Sequence, residues 1–253
     1  MFGKYKLEEL QKKILRKIGY QKVVPGEIIR ENFFDLYFSL RNPFVVQIGA
    51  NDGRTHDSLF QYISKGQLSG LLVEPQVDIF ERLKNNYNTH TNTELKFANV
   101  AVGEKDGEIP FYRINPDLVM EGMEYKASSG SSFYRDQIVG NVKNRLPPVR
   151  TNVLKHISDN PDDYIQEVSV RVSTLESLFR EYSVDKIDFL LIDCQGFDYK
   201  ILKQLDFERF SPDIINYEHG LLSAEELLES RRLLESHGYK YFVHSADTCA
   251  YKI

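Results

Sequence analysis

Short apolar runs alternate with helix-period stretches along most of the chain. "FVVQI" (44–48), "GLLVEP" (70–75), "ELKFANVAVG" (94–103), "KIDFLLID" (186–193) and "DIINYEHG" (213–220) are apolar and rich in β-branched residues. That is the pattern of strands buried on both faces. Residues 27–40, 55–64, 77–87 and 224–236 place apolar side chains at helical spacing, and "FDYKILKQL" (197–205) continues the alternation. Pro25 and Gly26 break the chain before the first of these helices, and "RNP" (41–43) ends it. Strand and helix in alternation mean βαβ units and a mostly parallel sheet.

Two stretches depart from the alternation. "GEIPFYRI" (107–114) reads as one extra strand, and residues 115–165 have no clean period. They contain "ASSGSS", "LPP" and "DNPDD". An irregular insertion of that length is read either as a functional lid or as a variable surface excursion. Order returns with "EVSVRVS", a strand, and a helix capped by Thr174 or Ser173. "YKYFVHS" and "TCAYKI" predict a terminal antiparallel hairpin. The expected organisation is a helical extension over 1–43 and one domain over 44–253, with an insertion at about 115–165.

Composition narrows the class. With 253 residues and 42% hydrophobic side chains, the chain can bury a substantial core. A net charge of −5 argues against a nucleic-acid partner, which needs a basic surface. Residues 1–22 run the other way. They hold seven basic side chains (Lys4, Lys6, Lys12, Lys13, Arg16, Lys17, Lys22) against Glu8 and Glu9, with Leu7, Leu10, Ile14 and Ile18 at helical spacing. This basic amphipathic helix either docks on the domain or makes a weak contact with an anionic membrane surface. There is no apolar run of membrane-spanning length and no signal-peptide core. Cys194 and Cys249 are far apart in sequence and form no CxxC pair. Reduced thiols in a cytoplasmic protein are the simplest reading.

Candidate chemistry collects where the strands end. Strand one delivers Gly49, Ala50, Asn51, Asp52 and Gly53, strand two Glu74, and strand three Asn99. The central strand delivers Asp193, Cys194, Gln195 and Gly196, and the next one Glu218 and His219. In doubly wound sheets ligands bind at these carboxyl ends. The glycine spacing is GxxxG, not the GxGxxG of a dinucleotide fingerprint. Glu74, 21 residues beyond Gly53, suits a ribose diol, whose hydroxyls a carboxylate accepts. A nucleoside without a diphosphate points to S-adenosylmethionine.

The motifs "QIGANDG", "VEP", "NVAVGEKDG", "SSGSS", "STLESL", "IDFLLIDCQGFDYKIL" and "INYEHG" occur in this order over about residues 44–220. In this the chain resembles FkbM-type S-adenosylmethionine-dependent methyltransferases. The resemblance implies a Rossmann-like α/β fold: a seven-stranded, mostly parallel sheet with an antiparallel last strand and helices on both faces. It also implies O-methylation, frequently of a sugar hydroxyl in a glycan, polysaccharide or natural product. The family often shows D-x-E-G-x-E after the central strand, where this chain reads Asp193-Cys194-Gln195-Gly196-Phe197-Asp198. Gln195 keeps the length of Glu and drops its charge. That departure keeps a second reading open, a non-catalytic methyltransferase-like binding protein.

Under the resemblance, Gln47, Gly49, Ala50, Asn51, Asp52 and Gly53 would surround the methionine part of the cofactor. Glu74 and Pro75 would take the ribose, and Asn99, Val100 and Ser131 the remaining contacts, with Asn99 at the adenine edge. Each has a plain reading as a turn or loop residue. Asp193 would bind the methionine amine or orient the acceptor hydroxyl. His219 is a candidate general base and Glu218 its neighbour; the plain reading of His219 is a structural histidine. Tyr125, Phe133, Tyr134 and the serines 128, 129, 131 and 132 are candidates to meet a sugar face. A magnesium ion held by Asp193 and Glu218 with Asp198 or His219 is a less favoured variant. The acceptor is expected to be a carbohydrate or small molecule; the sequence leaves its identity and the oligomeric state open.

Overall fold

The computed structural model describes residues 30–88, 94–118, 131–139 and 161–252. In chain order the elements are α1 (Arg30–Leu40), β1 (Phe44–Ile48), α2 (Phe60–Ile63), β2 (Ser69–Val73), α3 (Val77–Tyr87), β3 (Leu95–Ala98), β4 (Ala101–Val102), β5 (Gly107–Ile114), β6 (Ile165–Ser173), α4 (Leu175–Glu181), β7 (Phe189–Ile192), α5 (Asp198–Leu202), β8 (Ile214–Glu218), α6 (Ala224–Ser236), β9 (Tyr239–His244) and β10 (Asp247–Lys252). Seven strands form the main sheet in the order β3-β2-β1-β7-β8-β10-β9. The first five run parallel; β10 is antiparallel to both β8 and β9. The expected mostly parallel sheet with a reversed last strand is present.

The pleat sorts side chains between two helix layers. Val46, Ile48, Leu190, Ile192, Ile215 and Tyr217 face α4, α5 and α6. Val45, Leu72, Phe189, Leu191 and Ile214 face α1 and α3. Successive residues of a strand point to opposite faces, so each apolar run feeds both cores. The N-terminal helix α1 belongs to this main body: Phe33 and Phe34 pack edge-on against Phe242 and Phe189. The buried Tyr37 donates its hydroxyl to Asp213 at 2.9 Å. The basic helix read over 1–22 lies outside the described residues, as does most of the insertion.

Two expectations change. The short continuation expected after strand three within 94–103 belongs to a different sheet. The chain leaves the main sheet after Ala98, and β4 joins a separate three-stranded sheet, β4-β6-β5. Its long pairing is antiparallel, from Gly107 opposite Val172 to Ile114 opposite Ile165. The proline within β5 is no obstacle, because β5 is an edge strand. The helix expected over 55–64 is only the four residues of α2. Asp52 and Asp57 explain why: their carboxylates take backbone N–H groups at positions 54, 55 and 59 and hold the segment in turns.

Candidate active site

Strand order reverses between β1 and β7, because the chain winds outward from β1 to β3 and returns on the other side. A crevice opens at such a switch, beyond the strand ends. Here it holds a cavity of about 340 Å³. That is within the usual range for a small-molecule site.

One wall is the turn after β1. Gly49 and Ala50 both donate backbone N–H to the Val73 carbonyl, at 3.0 and 2.9 Å. Gly49 has φ +85°, and a Cβ on it would sit 1.9 Å from the Asp193 carbonyl oxygen. Only glycine fits this close crossing of β1 and β7. Gly53 faces away from the cavity, where a Cβ would strike Leu83 and Tyr87. Asp52 is also turned into the fold: it accepts from the backbone of Arg54 and Thr55 and the Thr55 hydroxyl. Asn51 lines the cavity while its side chain accepts the Asp52 N–H at 2.8 Å.

Glu74 ends β2 against this turn. It is 4% exposed, and it accepts N–H groups from Asn51 at 3.0 Å and Gln76 at 2.9 Å. The Gln76 amide adds a third contact at 3.3 Å. A carboxylate has about four acceptor positions, so one remains for a ligand. Burial pushes the Glu74 carboxyl from 4.5 up to about 7, against the lowering effect of those hydrogen bonds. Pro75, Val100 and Ser131 line the cavity nearby. Asn99 does not: its amide donates to the carbonyls of Glu74 and Pro75 at 2.9 and 3.0 Å. It braces the end of β2 where the chain leaves the main sheet after β3, and the cavity wall expected to include it does not.

The opposite wall is built from β7, β8 and β10. Asp193, Gln195 and Glu218 line it. The Gln195 amide donates to Asp193 at 3.2 Å and to Glu218 at 3.3 Å, bridging the two carboxylates. Gln195 itself has φ +51°, in the turn that Gly196 completes at +89°. Asp198, read as a metal-ligand candidate, is fully buried beneath this turn and accepts the backbone N–H of Cys194 and Gly196. Burial, followed by Asp193 and Glu218, pushes its carboxyl well above the usual range. Among the described residues no three His, Cys, Asp or Glu side chains are grouped to hold a metal ion. The Gln195 amide stands between the two carboxylates that the magnesium reading needed.

His219 does not join Asp193 and Glu218. Its imidazole contacts the Thr248 hydroxyl at 3.1 Å, and it is not among the cavity residues. The reason is the pleat: in an extended chain Glu218 and His219 point to opposite faces. Burial and Arg231 lower its pKa. That keeps the ring neutral, but on the wrong side of the sheet to take a proton from a ligand in the cavity.

Several cavity residues were missed by the sequence reading. Gln47, expected beside the cofactor, lines the cavity; its amide donates to Asp57 at 3.1 Å, and Asp57, which was not expected, lines the cavity too. Burial raises the Asp57 carboxyl from 3.8 to about 6. Asn216 and Asp247 also line it, and Arg30 reaches in from α1 to pair with Asp247. Asn216 had a signal: a polar residue two positions before Glu218 in an apolar strand shares its face.

One described piece of the insertion, residues 131–139, crosses the cavity as a strap. Ser132 bridges to Tyr112 in an isolated antiparallel pair. Ser131 accepts from the Gln76 amide at 3.0 Å, and the Gln137 amide donates to the Gln195 carbonyl. Phe133 lines the cavity and packs edge-on against Phe197 at 4.9 Å. Tyr134 receives the Lys200 ammonium instead. Residues 119–130, with Tyr125, Ser128 and Ser129, lie outside the described residues.

Both cysteines, Cys194 and Cys249, are free thiols. No helix of the described residues is long and apolar enough to cross a membrane.

Residues 47–241 match the family model described as the methyltransferase FkbM domain. No curated protein matches the chain. Among solved structures, a methyltransferase FkbM from Methylobacillus flagellatus aligns with a TM-score of 0.48 and 15% identity, over 83% of this chain and 43% of that one. The present chain thus spans less than half the length of that protein. A precorrin-6y C5,15-methyltransferase from Geobacter metallireducens aligns at 0.40 and 11% identity, over 91% and 94% of the two chains. A SAM-dependent O-methyltransferase from Thermotoga maritima aligns at 0.41 and 8% identity, over 96% and 71%.

Proposed function

Because this chain belongs to the FkbM methyltransferase family, we propose that it is an S-adenosylmethionine-dependent O-methyltransferase acting on a sugar hydroxyl of a glycan, polysaccharide or glycosylated natural product. The observation that carries the reading is the buried Glu74 carboxylate, facing the cavity beside the Gly49 turn with one acceptor position left. A ribose hydroxyl is a donor of the right kind for it. Gly49, Ala50 and Asn51 line the cavity beside Glu74, where the methionine portion would lie against bare backbone. The residues present therefore fit S-adenosylmethionine, which when bound supplies an electrophilic methyl group on a sulfonium.

The chain's own contribution is placement and proton management. Asp193 and Glu218, held apart by the Gln195 amide, receive the acceptor hydroxyl and accept its hydrogen bond as the oxygen attacks. This gives the base role to Glu218, with Asp193 beside the cofactor amine; His219 stays behind the sheet. The strap over 131–139 excludes water from the reacting atoms. No magnesium is needed in this reading.

Calorimetric titration with S-adenosylmethionine and S-adenosylhomocysteine, beside a Glu74→Ala variant, tests the cofactor half. Micromolar binding that is lost in the variant supports it. Absence of binding to the folded wild type overturns it. Transfer of labelled methyl to sugar oxygen tests the acceptor half; transfer to nitrogen alone would reject O-methylation.

A further inference from the structure

The strand register sets two rows of side chains on the α1 face of the sheet. Gln47 pairs with Leu191, Leu191 with Asn216, and Asn216 with Cys249. One step toward the cavity, Glu218 pairs with Asp247, and the parallel register puts Asp193 beside Glu218. Gln47 and Asn216 are 3% and 2% exposed, and the side-chain oxygen of each has no hydrogen-bond partner. Their amide nitrogens are already engaged, Gln47 with Asp57 and Asn216 with Asp247. Two buried, unmatched acceptors in one cavity wall call for a ligand that donates.

The charged groups ask for the same thing. Asp57, Asp193, Glu218 and Asp247 all line this side. Arg30 is the sole Lys or Arg among the described lining residues; Asp247 and Glu31 take its two terminal nitrogens, and its buried Nε has no hydrogen-bond partner. His56, the other basic lining side chain, is exposed. An anion entering here meets four carboxylates and two amide oxygens, against one guanidinium already ion-paired with two carboxylates. Desolvating it against like charge is costly.

We infer that this α1-side compartment is the acceptor subsite, and that it selects a hydroxyl-rich sugar, neutral or amino-bearing, while rejecting sugars that carry carboxylate, phosphate or sulfate. The inference rests on the methyltransferase reading above and adds a charge rule to it.

The test uses the full chain with S-adenosylhomocysteine bound. Methyl glucoside, methyl glucosaminide and methyl glucuronoside are titrated at pH 7 and followed by chemical-shift changes of the protein. The amino and neutral sugars are expected to bind, with the amino sugar equal or tighter and the glucuronoside at least tenfold weaker. In a Glu218→Gln variant, an isosteric change, the gap between glucoside and glucuronoside is expected to narrow at least threefold. A glucuronoside that binds as well as the glucoside overturns the charge rule and leaves the methyltransferase reading standing. Binding of S-adenosylhomocysteine with none of the three sugars overturns the subsite. Failure to bind S-adenosylhomocysteine sinks both.

Discussion

At the β1 and β2 ends of the cavity, the groups that face a ligand are fixed by backbone. Gly49 crosses against the Asp193 carbonyl, and Glu74 is fastened by the N–H groups of Asn51 and Gln76. At the β7, β8 and β10 ends, side chains fix one another: Gln195 spans Asp193 and Glu218, and Arg30 holds Asp247. The first region leaves one acceptor position over. The second leaves the Asn216 amide oxygen unmatched, and that of Gln47, on β1, points to the same α1 face. A backbone-built wall has few sequences that fit it, whereas a wall of interlocking side chains can be rewritten one residue at a time. This is the division expected when one ligand is a fixed cofactor and the other an acceptor.

The contrast breaks most readily at Gly49. Gly49→Ala forces a Cβ into the Asp193 carbonyl and holds alanine at positive φ. A loss of about 3 kcal/mol or more is expected, read from the denaturant midpoint; near wild-type stability would show that this wall yields.

Acidity tests the first wall next. Burial lifts Glu74 to about 7 and Asp57 to about 6. Both hold their proton more tightly folded than unfolded. Their stabilising effect is thus whole below about pH 4 and is lost as pH rises through about 6 and then about 7. The ligand-free protein is expected to melt on the order of 5 °C lower at pH 8 than at pH 5 from these groups, and Glu74→Gln to remove the larger share. A flat profile in the wild type would deny the burial argument. Nucleoside binding, which needs the ionised carboxylate, is expected to tighten with rising pH and level off above about 7.

Gln195→Glu sharpens the second wall by placing a third carboxylate between Asp193 and Glu218. It is expected to cost about 2 kcal/mol in the presence of a chelator, part of it recovered by millimolar magnesium in a melting assay. No magnesium response would mean that the three oxygens do not converge. The smallest effect belongs to Gln137→Ala, about 1 kcal/mol, seen as faster hydrogen exchange around residues 131–139 and little elsewhere.

Much of this was legible in the chain. The runs at 44–48, 189–192 and 214–218 are apolar enough that no other element competes, and their order yields the switch point where Gly49 meets Asp193. Glu74 was legible for the same reason: its place follows from the end of β2. What escaped was whatever depends on pairing over distance or on the pleat at a strand's last residue. β4, β5 and β6 each read as extended, but nothing local says that they leave the main sheet. Asp57 looked like the first turn of a helix, because its competition for the Leu59 N–H is invisible in an apolar period. His219 was placed beside Glu218 by adjacency in sequence, the very adjacency that sends two strand residues to opposite faces. Arg30 and Asp247 lie 217 positions apart.

The strap has a thermodynamic consequence. One end touches Gln76, which also holds Glu74, and the other touches the carbonyl of Gln195, which holds Asp193 and Glu218. Two walls of the cavity fastened to one segment would share a coupling free energy between the ligands they hold. Whatever factor the nucleoside imposes on acceptor affinity through that segment, the acceptor must return to the nucleoside unchanged. Under the proposed function, loosening the strap would lower both occupancies together and draw their coupling toward zero, so two hydrogen bonds from one segment would register the simultaneous presence of both ligands.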